Sequence, residues 1–159
     1  MVQEGETAPD FTVPFVTADD VDEFTLSDAL GDGPVVLAFF PGAFTSPCAD
    51  EMCELRDSLA EFEELDASVY GVSVDGPFAQ QAFIKENDLN FPLLSDFGKE
   101  VIEAYDVVLE SLADIYGPVS ERAVFVIDDD GNIAYRWVGD EPSTLPDLDD
   151  VREAVEAAT

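Results

Sequence analysis

Two cysteines, Cys48 and Cys53, carry the only strongly nucleophilic side chains in this 159-residue sequence, and they lie five positions apart in Pro41-Gly42-Ala43-Phe44-Thr45-Ser46-Pro47-Cys48-Ala49-Asp50-Glu51-Met52-Cys53. Two are too few for a disulfide scaffold and, with no histidine in the chain, too few for an ordinary metal site. In a reducing compartment a close pair of this kind points to redox chemistry. The alternative is a pair of small buried hydrophobes. Ser46 suits an N-cap and Pro47 the first helical position, which places Cys48 in the first turn of a helix. There the helix dipole and the unpaired backbone N–H groups favour a thiolate, the nucleophilic form of cysteine. Asp50 and Glu51 oppose that effect unless a cation answers them. With no histidine and only Lys85 and Lys99 as lysines, the cation has to be one of four arginines.

The elements that would position these residues alternate between strand and helix. Val35-Val36-Leu37-Ala38-Phe39-Phe40 is a continuous apolar run stopped by Pro41-Gly42, the pattern of a central strand covered on both faces. From about Pro47 to Leu65, Met52, Leu55, Leu59 and Phe62 recur at helical spacing, and Cys48 stands four before Met52 on the same inward stripe. Strand 69–74, helix 77–87, strand 91–94 and helix 99–105 follow, an order that implies parallel pairing. Strands 123–127 and 133–138 flank Asp128-Asp129-Asp130-Gly131-Asn132, a hairpin signal with a glycine suited to positive φ. As a calcium loop that segment fails, because its first and twelfth ligand positions fall on Val126 and Trp137. A last helix over 148–157 puts Val151 and Val155 on its core face. Upstream, 11–13 and 23–25 read as a β-hairpin around an acidic turn, and Ser27 as the cap of a brief helix. The fold class is α/β: a thioredoxin-like sandwich with a mixed central sheet, helices on both faces and an N-terminal β-hairpin, in one domain over residues 1–159.

Charge narrows the range of functions. Six Lys+Arg against 37 Asp+Glu give a formal net charge of −31, yet hydrophobic residues make up 47%, a globular composition. Such a surface repels phosphate backbones and anionic lipid heads, which argues against nucleic-acid and membrane partners. Absence of histidine removes histidine-base catalysis and His-ligated zinc or haem. No flavin, nucleotide or other cofactor signature is present, and neither phosphate-binding glycine motif occurs. No apolar run approaches a membrane span, and the start lacks the features of a signal peptide, so a cytoplasmic location is expected. The acids are spread along the whole chain and not gathered in a tail, which reads as adaptation to a salt-filled cytoplasm and predicts a halophilic source.

Pro41, Thr45 and Cys48 reproduce a proline, then threonine four residues on, then cysteine three further, after a buried strand and at the opening of a helix. With Glu51 three residues past the cysteine and Arg122 just before the strand Ala123-Val124-Phe125, the chain resembles the peroxiredoxins, the alkyl hydroperoxide reductase and thiol-specific antioxidant superfamily. The resemblance runs from the N-terminal hairpin to about Gly139. It implies a thiol-dependent peroxidase that reduces hydrogen peroxide and small organic hydroperoxides. Cys48 attacks the O–O bond, Thr45 orients the peroxide, Arg122 holds thiolate and peroxide with a planar fork of donors, Pro41 shields the pocket, and Glu51 supports the arrangement. Taken singly, Thr45 could merely cap the helix, Pro41 end a strand and Arg122 pair with an acid.

The first product would be a sulfenic acid on Cys48, and the cysteine spacing resembles the bacterioferritin-comigratory (Q-type) branch, alongside the E-type, in which a second cysteine five positions on can resolve it. Positions i and i+5 of a helix have Cα atoms roughly 8 to 9 Å apart, beyond the disulfide limit of about 7 Å, so a Cys48–Cys53 bond requires the first turns to unwind. Otherwise Cys53 is a buried small residue and an external thiol resolves Cys48. The implied partners are the peroxide and a thioredoxin-type reductant, with the chain a monomer or homodimer. Two other functions share the fold. A thiol-disulfide oxidoreductase normally spaces its cysteines by two residues, where this chain has four, and a non-catalytic binding module would carry structural cysteines only. Of the remaining arginines, Arg56 could reach an acid near the site or solvate the surface, and Arg136 and Arg152 read as surface residues. Tyr135 and Trp137 read as core or interface packing, and the apolar connector 107–116 suits covering a pocket or meeting a second subunit.

Overall fold

The structure, a computed structural model, describes residues 2–43, 46–112 and 117–158, without the side chains of residues 46–48. Chain order is β1 (Thr12–Val16), β2 (Val21–Thr25), α1 (Leu26–Ala29), β3 (Val35–Phe39), α2 (Ser46–Glu64), β4 (Ser68–Ser73), α3 (Pro77–Asn87), β5 (Leu93–Ser95), α4 (Glu100–Ala104), β6 (Val108–Leu109), β7 (Val119–Ser120), β8 (Ala123–Ile127), β9 (Ile133–Val138) and α5 (Leu148–Ala158). Seven strands form one sheet in the order β2-β1-β5-β4-β3-β8-β9. β3, β4 and β5 pair in parallel through the helical crossovers α2 and α3, while β8 and β9 add antiparallel on one side and the β1–β2 hairpin on the other. The mixed sheet is therefore as the alternating pattern predicts. β4 occupies the middle, and β3, the expected central strand, lies one place from it.

Strand alternation sorts the core into two layers. Val36, Ala38 and Phe40 face a cluster with Met52, Leu55, Leu59 and Phe62 of α2, Phe83 and Ile84 of α3, and Val151 and Val155 of α5. Val35, Leu37 and Phe39 face the opposite cluster with Leu26 of α1 and Val101 and Ile102 of α4. All five residues of β3 are buried, as a strand sandwiched between helical layers requires. The α2 stripe and the Val151–Val155 pair are buried as their spacing predicts.

Several expectations are corrected. Ser27 lies inside α1 and does not cap it; its N–H donates to Asp10 Oδ1 at 2.9 Å, so the capping acceptor comes from 17 residues upstream. The N-terminal strands are longer than expected, with the acidic turn confined to the residues between Val16 and Val21. In the connector 107–116, Val107 is fully buried and Val108–Leu109 pair with Val119–Ser120 in a second small sheet; positions 113–116 lie outside the described residues. The Asp128–Asn132 hairpin turn forms as expected, with Gly131 at φ +85°.

Gly71 in β4 sets how closely α2 approaches the sheet. A Cβ there would stand 2.5 Å from Leu93 Cδ2, 3.1 Å from Met52 Sδ and 3.3 Å from Phe40 Cε1, all in the packed core. Gly71→Ala should therefore displace the Leu93 and Met52 side chains in the packed core and destabilise the protein by about 1–3 kcal/mol. Denaturant unfolding of the purified variant checks this, and an unchanged midpoint would show that α2 has slack at this point.

Candidate active site

β3 ends at Phe39, and Phe40 still donates its N–H to Val72 O at 2.9 Å before Pro41 and Gly42, both buried, turn the chain toward α2. The Ala43 N–H then donates to Asp75 Oδ2 at 2.7 Å. α2 then begins at Ser46, one residue earlier than expected, so the Cys48 backbone stands in its first turn. The Cys48 side chain and the whole of Thr45 lie outside the described residues.

Three residues past Cys48, a rise of about 4.5 Å along α2, Glu51 is completely buried. Its Oε1 accepts a 2.6 Å hydrogen bond from Arg122 Nη1, and Arg122 is itself only 2% exposed. The cation that answers Glu51 is thus Arg122. Two backbone contacts fix it from behind. Arg122 Nε donates to Pro142 O at 2.9 Å, and Arg122 O accepts from Gly139 N at 2.8 Å. The first of these gives the guanidinium a defined orientation, which a lysine ammonium would not share.

Burial pushes the Glu51 carboxyl up to about 7, against the lowering influence of the Arg122 charge and hydrogen bond. Near neutral pH the pair therefore stands between an ion pair and a neutral carboxyl hydrogen-bonded to the guanidinium. Among the described residues Glu51 Oε2 has no hydrogen-bond partner, which leaves its charged form poorly solvated.

Cys53 is half-buried in the same unbroken helix, its Sγ 3.7 Å from Asn87 Oδ1 at the end of α3. Arg56 belongs to that neighbourhood and not to the Glu51–Arg122 pair. Its Nη1 donates to Asn87 O at 2.6 Å and its Nε to the adjacent Asp57 at 3.0 Å. Arg152 sits at the surface as expected, paired with Glu61 and Asp149. Arg136 is half-buried on β9, and its charge acts on Glu121. Tyr135 and Trp137 pack on the core. The Asp75 and Pro142 acceptors escape sequence reading. Ser73-Val74-Asp75 at a strand end is a usable signal for the first, but it is one acid among 37, and a backbone carbonyl such as that of Pro142 carries no residue signature at all.

A buried strand leading through a proline turn into a helix that carries a cysteine, with a buried arginine beside it on a thioredoxin-like sheet, defines a thiol peroxidase architecture. The sequence model of the AhpC/TSA family matches residues 5–136. A chloroplastic 2-cysteine peroxiredoxin of Chattonella marina var. antiqua is 36% identical over 144 residues, covering 86% of this chain and 71% of its own length. Alkyl hydroperoxide reductase E of Mycobacterium bovis is 37% identical over 137 residues, covering 85% and 84%. Among solved structures, peroxidoxin BcpB from Mycobacterium tuberculosis superposes with a TM-score of 0.85 at 32% identity, over 100% of this chain and 99% of that one. The chain belongs to the AhpC/TSA family, the peroxiredoxins, and it is a thiol-dependent peroxidase. Among the described residues no helix is long and apolar enough to cross a membrane.

The raised Glu51 pKa has a definite sign. In the unfolded chain the carboxyl loses its proton near 4.5, and in the folded protein near 7, so protonation favours folding. The contribution is complete below pH 4.5 and is lost as pH rises through about 7. Wild type should therefore lose of the order of 3 kcal/mol relative to Glu51→Gln over that interval. Unfolding curves of both proteins at several pH values give the difference directly, and a difference that stays flat with pH would contradict the assignment.

Proposed function

We propose that Cys48 is the peroxide-reacting residue and that Arg122, Thr45, Pro41 and Glu51 serve it. The observation that carries this reading is the buried Arg122–Glu51 pair, formed three residues along α2 from Cys48 by one of only four arginines in the chain. The Cys48 thiolate attacks the terminal oxygen of R–O–O–H. An S–O bond forms as the O–O bond breaks, sulfur is oxidised to the sulfenic acid, and the departing RO⁻ takes up a proton and leaves as ROH. Fixed donors are most effective where that negative charge builds, which is the role of the Arg122 guanidinium and the Thr45 hydroxyl. Pro41, buried at the turn, limits water access to the sulfur. No cofactor takes part.

The substrates are hydrogen peroxide and small organic hydroperoxides, and a thioredoxin-type dithiol returns the enzyme to its reduced form in the cytoplasm. The protein acts as a single-domain monomer or homodimer. Cys53 is the resolving thiol: its thiolate attacks the Cys48 sulfenic sulfur, an S–S bond forms, and the hydroxyl leaves as water. The unbroken helix containing both cysteines favours a second reading, in which an external thiol performs this step.

One equivalent of hydrogen peroxide added to the reduced protein with a dimedone-type trap separates these readings by intact mass. Loss of two hydrogens without an adduct is expected for internal resolution, and a single adduct on Cys48 for an external resolver. Cys48→Ser should consume no peroxide, and a Cys48→Ser protein that still did so would end the assignment.

The even spread of acids over a chain of net charge −31 supports a halophilic origin. At molar salt the repulsion between carboxylates is screened to a few ångströms. The unfolding midpoint should rise steeply between low and molar salt, and a midpoint that did not move would refute the halophilic reading.

A further inference from the structure

The turn that leads from β3 to α2 is held by a side chain outside the residues assigned above. Asp75, half-buried just past the end of β4, accepts two hydrogen bonds on the same oxygen: Ala43 N–H to Oδ2 at 2.7 Å and Ser73 Oγ–H to Oδ2 at 2.8 Å. Ser73 is fully buried, and its hydroxyl in turn accepts from Gln80 Nε2 at 2.9 Å. Gln80, also fully buried, uses the other N–H of that amide on Leu94 O at 2.9 Å. The Asp75 backbone is fixed as well, since its carbonyl accepts from Ser95 Oγ at 2.6 Å. The polarity is consistent from end to end: amide to hydroxyl, hydroxyl to carboxylate, and the turn's N–H to the same carboxylate. The chain of bonds crosses from α3 through the C-terminal ends of β4 and β5 and ends on the residue two positions before Thr45.

Burying a glutamine amide and a serine hydroxyl has a cost that a packed apolar pair would avoid, so the arrangement serves something besides packing. Geometrically it supplies one rigid acceptor at the point where the backbone has left the sheet and not yet entered α2. Ala43 N–H has no strand ladder to satisfy it, and a carboxylate acceptor makes a stronger bond than a neutral group.

We propose that Asp75 is a positioning residue for the peroxidase reaction: through the Ala43 N–H it fixes the turn that carries Pro41 and leads from β3 into α2. The role rests on the assignment of that turn and Cys48 as the reacting site. Asp75 touches neither peroxide nor sulfur, so its effect falls on how peroxide is oriented and not on whether the thiolate forms. A displacement of about 1 Å at a positioning group can cost on the order of 100-fold in rate.

The test compares two reactions of Cys48 in the full-length reduced protein at molar salt: oxidation by hydrogen peroxide, and alkylation by iodoacetamide as a function of pH. Cleavage at Asp50 separates Cys48 from Cys53, so each modification is read by mass at its own site. Asp75→Ala should lower the peroxide rate at Cys48 by about 10- to 100-fold and leave the alkylation rate and its pH profile unchanged. Asp75→Asn keeps an acceptor oxygen in place and should stay within several-fold of wild type. Equal peroxide rates in all three proteins, or a parallel fall of peroxide and alkylation rates, would overturn the proposal. If Asp75→Ala does not fold, Ser73→Ala replaces it; removing the hydroxyl that steadies the same oxygen should slow peroxide selectively by a few-fold, and no selective loss overturns the role. A wild-type Cys48 inert to peroxide while still alkylated would instead remove the site itself, and the role of Asp75 with it.

Discussion

A guanidinium and a carboxylate share a fully buried hydrogen bond in a protein whose surface charge is overwhelmingly negative, and the site is organised around that bond. Arg122 would be costly to bury alone, and so would Glu51; removing either partner from such a pair typically costs about 3–5 kcal/mol because the other charge is stranded. The pair also joins parts of the chain that are distant in sequence. Glu51 comes from α2, Arg122 from the turn between β7 and β8, and the Pro142 carbonyl that receives Arg122 Nε from the segment after β9. A local cation is what the acidic first turns of α2 require, and burial protects it from competition with the many surface carboxylates. A surface arginine could not play this part, because exposed ion pairs contribute little.

That bond is useful only if α2 and the β3–α2 turn are held independently of it. The sheet supplies this through two separate contacts. On the helix side, Gly71 lets Met52 lie directly against the strands, and the stripe from Met52 to Phe62 keeps α2 in one rotational setting. On the turn side, Asp75 takes the Ala43 N–H. The first contact is apolar and non-directional, and the second is polar and fixes one atom. Together with Arg122 they hold the cysteine-bearing end of the helix from three directions.

How much of this is legible before folding depends on whether a feature is periodic. The sheet strands, the α2 stripe and the Val151–Val155 pair follow from spacing alone, because burial on one face imposes a repeat. Pro41, Cys48, Glu51 and Arg122 stand out through the resemblance to the peroxiredoxins, since the scarcity of cations by itself narrows the counter-ion only to one of four arginines. Single polar contacts leave no repeat. Asp75, which holds the turn, carries only the weak signal of its place at a strand end, and nothing in the sequence distinguishes Asp96, which accepts from the Val101 and Ile102 N–H groups at the start of α4, from the other acids. Likewise Ser27 looks like a cap by type, yet the acceptor that reaches the start of α1 is Asp10, a partner only the folded hairpin brings near.

The same helix that carries Cys48 also holds Cys53 five positions further along it. Between them lies Met52, fully buried against Gly71, so a disulfide that needs these turns to unwind must also draw Met52 out of the core. Exposing a side chain of that size costs about 1.5–3 kcal/mol, beyond the helical hydrogen bonds given up. The disruption has a natural boundary. Arg56, three residues past Cys53, is tied through its guanidinium to the Asn87 carbonyl of α3, and its own carbonyl accepts from Asn90 Nδ2. Residues C-terminal to that anchor can stay helical, with Leu59 and Phe62 still in the core, while those before it rearrange. The reduced enzyme is thus the better-packed state, and a bond between the two cysteines would set buried Met52, the buried Glu51–Arg122 pair and about two helical turns against covalent closure.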